Sequence, residues 1–416
     1  MKLLFVAYGG GHMRLLHHII QKVINETDFE VRVLALTTGY LDVKEYYSEE
    51  ILKRPINYKD LFNKDLERIQ FYGNELLKEN HNPASGLEEE DSIFYLGMSF
   101  NDLALENGEE GAWNLYNEKK RHAFLPKRSM KKIIEHESPD VIITTTSPKC
   151  ELASLFASKE LKIPSIQIID LFGDNYPIPF ADDIIVLNED VKQKLDSRVG
   201  DNSRVHAFGQ PVFDYTVSKV EEVDKDVVRE RLGISKEKPV LLFSPSRYLI
   251  YSNDRSILKE LDHHIVNEPV FKIFNELRKK YDFNVIVRPH PNDRADKFLM
   301  YVEENNFIDL YKNEDLSLYE SISVSDFVVA YNSTILIESA LCGKIAFPHN
   351  YDQKEAYHWP ELMRSPFVYS SNFKNLKNNL DNVLGKSIKS SIERPNLSSF
   401  YNKGAVDKVI NLIKQK

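Results

Sequence analysis

KLLFVAYGGGHMRLLHHII, residues 2–20, runs from an unbroken apolar stretch into three glycines and a histidine, then into apolar residues at helical spacing. A strand, a glycine turn and an amphipathic helix make a βα unit. The apolar run shows no polar alternation, so both faces of the strand are covered, as in a parallel sheet. Gly9, Gly10 and Gly11 permit positive φ and let a ligand approach the backbone. Free amides at the following helix N-terminus favour negative charge, and His12 stands in the first turn on that side. The dinucleotide fingerprint G-x-G-x-x-G is not met, because Arg14 takes the place of its last glycine. The alternative is a plain glycine turn with a surface histidine.

The same alternation continues outward. EVRVLALT (30–37), DVIITTT (140–146), PSIQIID (164–170) and DDIIVLN (182–188) read as strands, with helical periodicity over 13–26 and 150–161. GQPVFD (209–214) ends this half. A charged stretch follows, and then strands over 239–246, 284–291, 308–313, 326–332 and 344–349 alternate with helices over 267–281, 316–324 and 333–343. The expected fold is α/β with two consecutive doubly wound, Rossmann-like halves. The first domain spans 1–215, with a helical elaboration over about 41–138. A linker covers 216–238, the second domain 239–395, and a C-terminal helical segment 396–416.

A chain of 416 residues exceeds what one core usually serves. A net charge of −9 excludes a surface that binds nucleic acid throughout, while leaving room for a local cationic pocket. Two cysteines make no disulfide framework and no zinc spacing. The apolar run at the start is too short for a signal peptide, and nothing approaches the roughly 18 apolar residues of a membrane span. These features predict a soluble, cytoplasmic protein. The segment 119–132 holds seven Lys or Arg in fourteen residues. It reads either as a solvated helix face or as a patch for an anionic acceptor or a lipid headgroup, the latter placing the protein peripherally at the inner face of the membrane.

In open parallel sheets, ligands bind at the carboxyl ends of the strands. Besides the glycine loop, three strand ends carry candidate residues. LLFSPSRY supplies Ser244, Ser246 and Arg247, hydroxyls and a guanidinium fork suited to a diphosphate. VIVRPHPND supplies Arg288 and His290, with Pro289 and Pro291 fixing the backbone around the histidine. After DFVVAY, Asn332, Ser333 and Thr334 open a helix, and Glu338 lies one turn in, where a carboxylate reaches a ribose diol.

Together these features resemble the GT-B superfamily, which includes nucleotide-sugar glycosyltransferases and the non-hydrolysing UDP-N-acetylglucosamine 2-epimerases. GGGH (9–12) is similar to the glycine loop of the lipid-linked N-acetylglucosamine transferases of peptidoglycan synthesis. GQPVFD resembles the GNPxxD-type segment of bacterial surface-carbohydrate proteins. RPHP (288–291) followed by NST (332–334) resembles the HP and Ser/Thr motifs of bacterial sialyl-, Kdo- and CDP-glycerol transferases. The resemblance implies that His290, Ser333 and Thr334 bind donor phosphate, that Glu338 reaches the ribose, and that Arg247 matches a phosphate-binding arginine of the epimerases. Their HRREN and RPE motifs are absent, and Ser333-Thr334 replaces their Gly-Gly, which favours a transferase.

The expected activity is a metal-independent, inverting glycosyltransferase of bacterial surface-polysaccharide synthesis, such as capsule. A CMP-, CDP- or UDP-sugar donor binds the second half, a glycan or lipid-linked acceptor binds the first, and the active site lies in the cleft between them. Arg247, His290 and the helix start at Ser333 neutralise the departing phosphate. His12, or Asp170 or Asp174 of DLFGDNYP, serves as general base. No D-x-D string at a candidate strand end asks for a metal, and no cofactor is expected. The competing readings are a nucleotide-sugar 2-epimerase or hydrolase, and a non-catalytic nucleotide-sugar-binding assembly subunit.

Overall fold

The computed structural model describes residues 1–172, 181–200, 202–245, 248–251, 257–261, 263–289, 296–305, 308–309, 316–331, 333–349, 373–385 and 401–416. The chain divides into two compact units, Met1–Asp214 with Tyr401–Lys416, and Tyr215–Phe400.

The first unit runs β1 (Lys2–Ala7), α1 (Gly11–Glu26), β2 (Glu30–Ala35), α2 (Gly39–Val43), β3 (Leu52–Lys53) and α3 (Leu66–Asn80). It continues through α4 (Glu89–Asn107), α5 (Glu109–Lys119), α6 (Lys127–Glu137), β4 (Val141–Thr144) and α7 (Cys150–Leu161). It closes with β5 (Ser165–Ile168), β6 (Asp183–Val186), α8 (Glu189–Asp196) and β7 (Arg204–Ala207). The seven strands form one sheet in the order β3-β2-β1-β4-β5-β6-β7, parallel throughout. Successive side chains of β1 point to opposite faces. Leu3, Phe5 and Ala7 pack with α1 and with the C-terminal helix Ala405–Ile413. Leu4 and Val6 face the helical insertion with Phe94, Tyr95 and Phe100. Covering both faces is what the unalternated apolar run requires.

Within the insertion, α3 and α4 approach closely. A Cβ on Gly97 would lie 1.9 Å from the carbonyl oxygen of Ile69, and one on Gly73 would lie 2.1 Å from that of Ile93.

The second unit follows α9 (Pro211–Glu222), inside which the division falls, with α10 (Lys225–Arg231), β8 (Val240–Ser244), β9 (Tyr248–Tyr251) and β10 (Ile257–Leu261). Next come α11 (His263–Arg278), β11 (Asn284–Val287), α12 (Asp296–Asn305) and β12 (Ile308–Asp309). Last are α13 (Leu318–Val324), β13 (Phe327–Ala330), α14 (Ile335–Leu341), β14 (Ile345–Pro348) and a helix over Phe373–Leu384. Five strands make a parallel sheet in the order β12-β11-β8-β13-β14. The antiparallel pair β9–β10 was not expected from the sequence.

Two boundaries need correction. Residues 216–238, expected as a linker, form most of α9 and all of α10 within the second unit. The buried Arg229 holds them there, donating to the Val324 carbonyl at 3.0 Å and to Asp326 at 3.1 Å. The C-terminal helix belongs to the first unit. Asp214, the acid of GQPVFD, accepts the Gly404 and Ala405 amides at that helix's start, at 3.2 and 2.6 Å, and the Tyr401 hydroxyl as well.

Candidate functional site

In each sheet the strand order reverses direction at one point, between β1 and β4 in the first and between β8 and β13 in the second. Such switch points open crevices at the carboxyl ends, where ligands of open α/β sheets bind.

At the first switch point, α1 leaves the end of β1 and carries His12, while β4 ends at Thr144 and is followed by Thr145 and Thr146. His12 Nδ1 lies 2.7 Å from Thr145 Oγ1. That hydroxyl donates to Glu151 Oε2 at 2.6 Å. Glu151, fully buried in the first turn of α7, also accepts the amides of Tyr8 at 2.7 Å, Thr145 at 3.1 Å and Ser147 at 3.0 Å. Three amides and a hydroxyl converge on this carboxyl, and its oxygens are the acceptors in all four contacts. The single hydroxyl proton of Thr145 is therefore committed to Glu151. Its oxygen can only accept from the imidazole, so Nδ1 carries the His12 proton and Nε2 keeps its lone pair. Among the described residues, Nδ1 is the ring nitrogen that the protein holds.

The glycine loop does less than expected. A Cβ on Gly9 would lie 1.9 Å from Thr38 Oγ1, so the glycine is required by packing. Gly10 has φ +66°, and its amide donates to the Asp42 carboxylate at 2.8 Å. A protein carboxylate already holds that amide, which corrects the expectation of a loop with all its amides open to a ligand anion. Asp170 lies two residues past β5, on the same carboxyl edge, beside Leu171 at φ 49°. Asp174 lies outside the described residues.

At the second switch point, Ser244 ends β8 and pairs in register with Ala330 of β13. Ser333 and Thr334 follow β13 and Arg288 follows β11, the strands on either side of β8, so the topology brings these to one edge. Ser333 Oγ accepts the Ile335 amide at only 3.4 Å, and Thr334 makes no side-chain cap. Glu338 is buried and accepts the Thr216 hydroxyl at 3.1 Å. Arg288 is buried too, and donates to the Leu316 carbonyl at 2.8 Å, tying β11 to the start of α13. Ser246, Arg247, His290, Pro291 and Asn332 lie outside the described residues.

The basic segment 119–132 is largely compensated. Lys120 pairs with Glu79 at 3.2 Å, Lys127 with Glu106 at 3.9 Å, Lys131 with Glu160 at 2.9 Å and Lys132 with Asp65 at 3.1 Å. Four of its seven Lys and Arg are therefore met by protein carboxylates. Among the described residues, no helix is long and apolar enough to cross a membrane, and no His, Cys, Asp or Glu side chains group as a metal site needs.

Residues 104–212 match the family model described as monogalactosyldiacylglycerol (MGDG) synthase. Residues 180–360 match that of CDP-glycerol:poly(glycerophosphate) glycerophosphotransferase. Among solved structures, a UDP-GlcNAc 2-epimerase from Methanocaldococcus jannaschii is similar at TM-score 0.63 and 11% identity, covering 100% of both chains. A UDP-GlcNAc 2-epimerase from Neisseria meningitidis, bound to UDP-GlcNAc, gives TM-score 0.63 and 14% identity, again over 100% of both chains. MurG from Acinetobacter baumannii gives TM-score 0.53 and 10% identity, over 100% of this chain and 99% of its own. No curated relative matches the chain in sequence. The chain has the GT-B fold. In this GT-B chain the MGDG synthase match spans Thr145 and Glu151, and the glycerophosphotransferase match spans every residue of the second switch point.

Thr145 and Glu151 were not picked out from the sequence. The signal was present in TTTSPKCE (144–151), a strand end rich in hydroxyls with an acid in the first turn beyond it. Its meaning appears only once β4 is known to lie beside β1.

Proposed function

We propose that the chain is a glycosyltransferase that moves a sugar from a CMP-, CDP- or UDP-linked donor to a hydroxyl of a glycan or lipid-linked acceptor. The observation that carries this reading is the His12–Thr145–Glu151 hydrogen-bond chain at the first switch point. In the proposed step the acceptor oxygen bonds to the sugar's anomeric carbon as the bond to the leaving phosphate oxygen breaks, with inversion. The acceptor proton passes to His12 Nε2, and the electron pair leaves with the nucleotide. Ser333, Thr334, Arg247 and His290 meet the charge developing on that phosphate, a role the protein's own donors fill without a metal. Glu338 takes the ribose. The glycerophosphotransferase match over 180–360 supports placing the donor on the second half.

A thermal-shift screen of UDP, CMP, CDP and GDP tests the donor. A nucleotide at about a hundred times its Kd adds about 2.7 kcal/mol of stability, and no shift with any of them refutes nucleotide-donor chemistry. Incubation with a bound nucleotide sugar, without acceptor, then separates the competing reading. A new free or epimerised sugar under those conditions means a hydrolase or 2-epimerase and overturns the transferase.

A further inference from the structure

A cavity of about 240 Å³ opens in the first unit between the ends of β1 and β2 and the helical insertion. Thr37, Thr38, Arg54, Asn82, Tyr95 and Arg121 are among its lining residues. We infer that this cavity binds the phosphate ester of a small polyol or sugar, through Arg121 of its lining and through Lys149, which stands beside the lining over the Tyr8 ring.

Three observations converge on it. The first is charge. Arg54 is committed, with Asp91 at 2.6 Å and the face of Tyr40 at 4.6 Å. Arg121 and Lys149 have no carboxylate partner among the described residues, unlike four of the cations that share Arg121's segment. Lys149 lies over the ring of Tyr8, itself a cavity residue, at 5.4 Å. Burial and the Arg121 charge push the Lys149 ammonium down to about 8. Two half-buried cations that repel each other, in a chain of net charge −9, destabilise the empty site and are relieved by an anion.

The second is the backbone. Thr37, at the end of β2, holds φ 49°, and its buried hydroxyl has no partner. Strain of this kind in a non-glycine residue collects at ligand sites. The third is size and chemistry. The volume falls below the roughly 300–1,000 Å³ of drug-sized pockets, so it suits a ligand of monosaccharide scale. A lining guanidinium with an ammonium beside it matches a phosphate monoester better than a carboxylate, and the guanidinium fork fits its oxygens. Asn82, Ser85 and Thr38 offer hydroxyl and amide partners to a polyol. With the first half as the acceptor half, an assignment that rests on the reading above, the acceptor would be a phosphorylated one.

Calorimetric titration of the full chain with sn-glycerol 3-phosphate, and with glycerol as the neutral control, tests the site. The ester is expected to bind and glycerol not. Arg121→Gln and Lys149→Gln should each weaken the ester at least about tenfold, whereas Lys149→Arg, which keeps the charge, should hold affinity within about threefold. Ester affinity unchanged in the double Gln variant, equal binding of glycerol, or no binding of either the ester at millimolar concentration or phosphatidic acid vesicles overturns the inference. Vesicles of phosphatidylcholine with phosphatidic acid form a parallel arm. Binding there alone, lost in the same variants, assigns the ester to a lipid headgroup and keeps the site. CDP and UDP titrations on the same preparations separate the two readings. Nucleotides that bind while the ester ignores both cations sink this site only. Ester binding that needs both cations, with no nucleotide bound, sinks the donor assignment only.

Discussion

Thr145→Val isolates the relay behind His12. Valine keeps the branched shape and removes the hydroxyl, deleting the 2.7 Å contact to His12 and the 2.6 Å contact to Glu151. Glu151 keeps its three backbone donors, so its charge stays compensated and the fold should survive. The imidazole loses the acceptor that fixes its proton on Nδ1. A net hydrogen bond of this kind is worth about 1–2 kcal/mol, and 1.36 kcal/mol is tenfold in rate, so kcat should fall roughly fivefold to thirtyfold at saturating donor. A second assay needs no substrate. Nitrogen-15 NMR of histidine-labelled protein, with the His12 signals assigned by His12→Gln, should show protonated Nδ1 and bare Nε2 at pH 8. In Thr145→Val the two nitrogens should average. A wild-type proton on Nε2 refutes the reasoning outright, and so does a variant with unchanged His12 shifts and kcat within twofold.

Other substitutions probe the donor half and the scaffold. His290→Ala should raise the donor KM or lower kcat at least about tenfold, the loss of one charge-assisted contact to phosphate; unchanged kinetics remove that assignment. Gly97→Ala places a methyl against the Ile69 carbonyl and should cost about 1–3 kcal/mol, read as a lower urea midpoint with an unchanged slope. Asp214→Ala orphans the Gly404 and Ala405 amides and should cost about 1–2 kcal/mol, seen as earlier hydrogen exchange in Ala405–Ile413 than in α1. Asp183 supplies the pH test. Burial pushes its carboxyl up, but His206 at 2.7 Å, Arg204 at 2.9 Å and Lys416 outweigh this and hold it well below the usual carboxylate range. Its stabilisation is therefore complete above the unfolded pKa of about 3.9 and fades as acid titrates the folded carboxylate. The stability gap between wild type and Asp183→Asn should be wide at pH 6 and narrow toward pH 2; a gap independent of pH refutes it.

The strands and their order of appearance were legible because parallel strands covered on both faces write themselves as short apolar runs, as in KLLFVA and VIIT. Periodicity does not say which strands become neighbours. The His12–Thr145–Glu151 relay stayed hidden for that reason, since 133 positions separate its first two members. Arg288 shows the same limit: the sequence places it beside HP, while its contact with the Leu316 carbonyl depends on the segment before α13 packing against β11. The glycine loop was legible as a turn, and the Asp42 carboxylate on its amide was not. In 119–132, composition could count cations but not the acids on α3, α4 and α7 that meet them.

The return of residues 401–416 to the first unit has a consequence for biosynthesis. Val409, Ile410 and Ile413 complete the apolar layer over Leu3, Phe5 and Ala7, yet a ribosome makes them just over four hundred residues after the strand they cover. Until they emerge, that strand keeps part of one oily side uncovered beside α1. The intervening unit is thus synthesised as a guest inside an unfinished host.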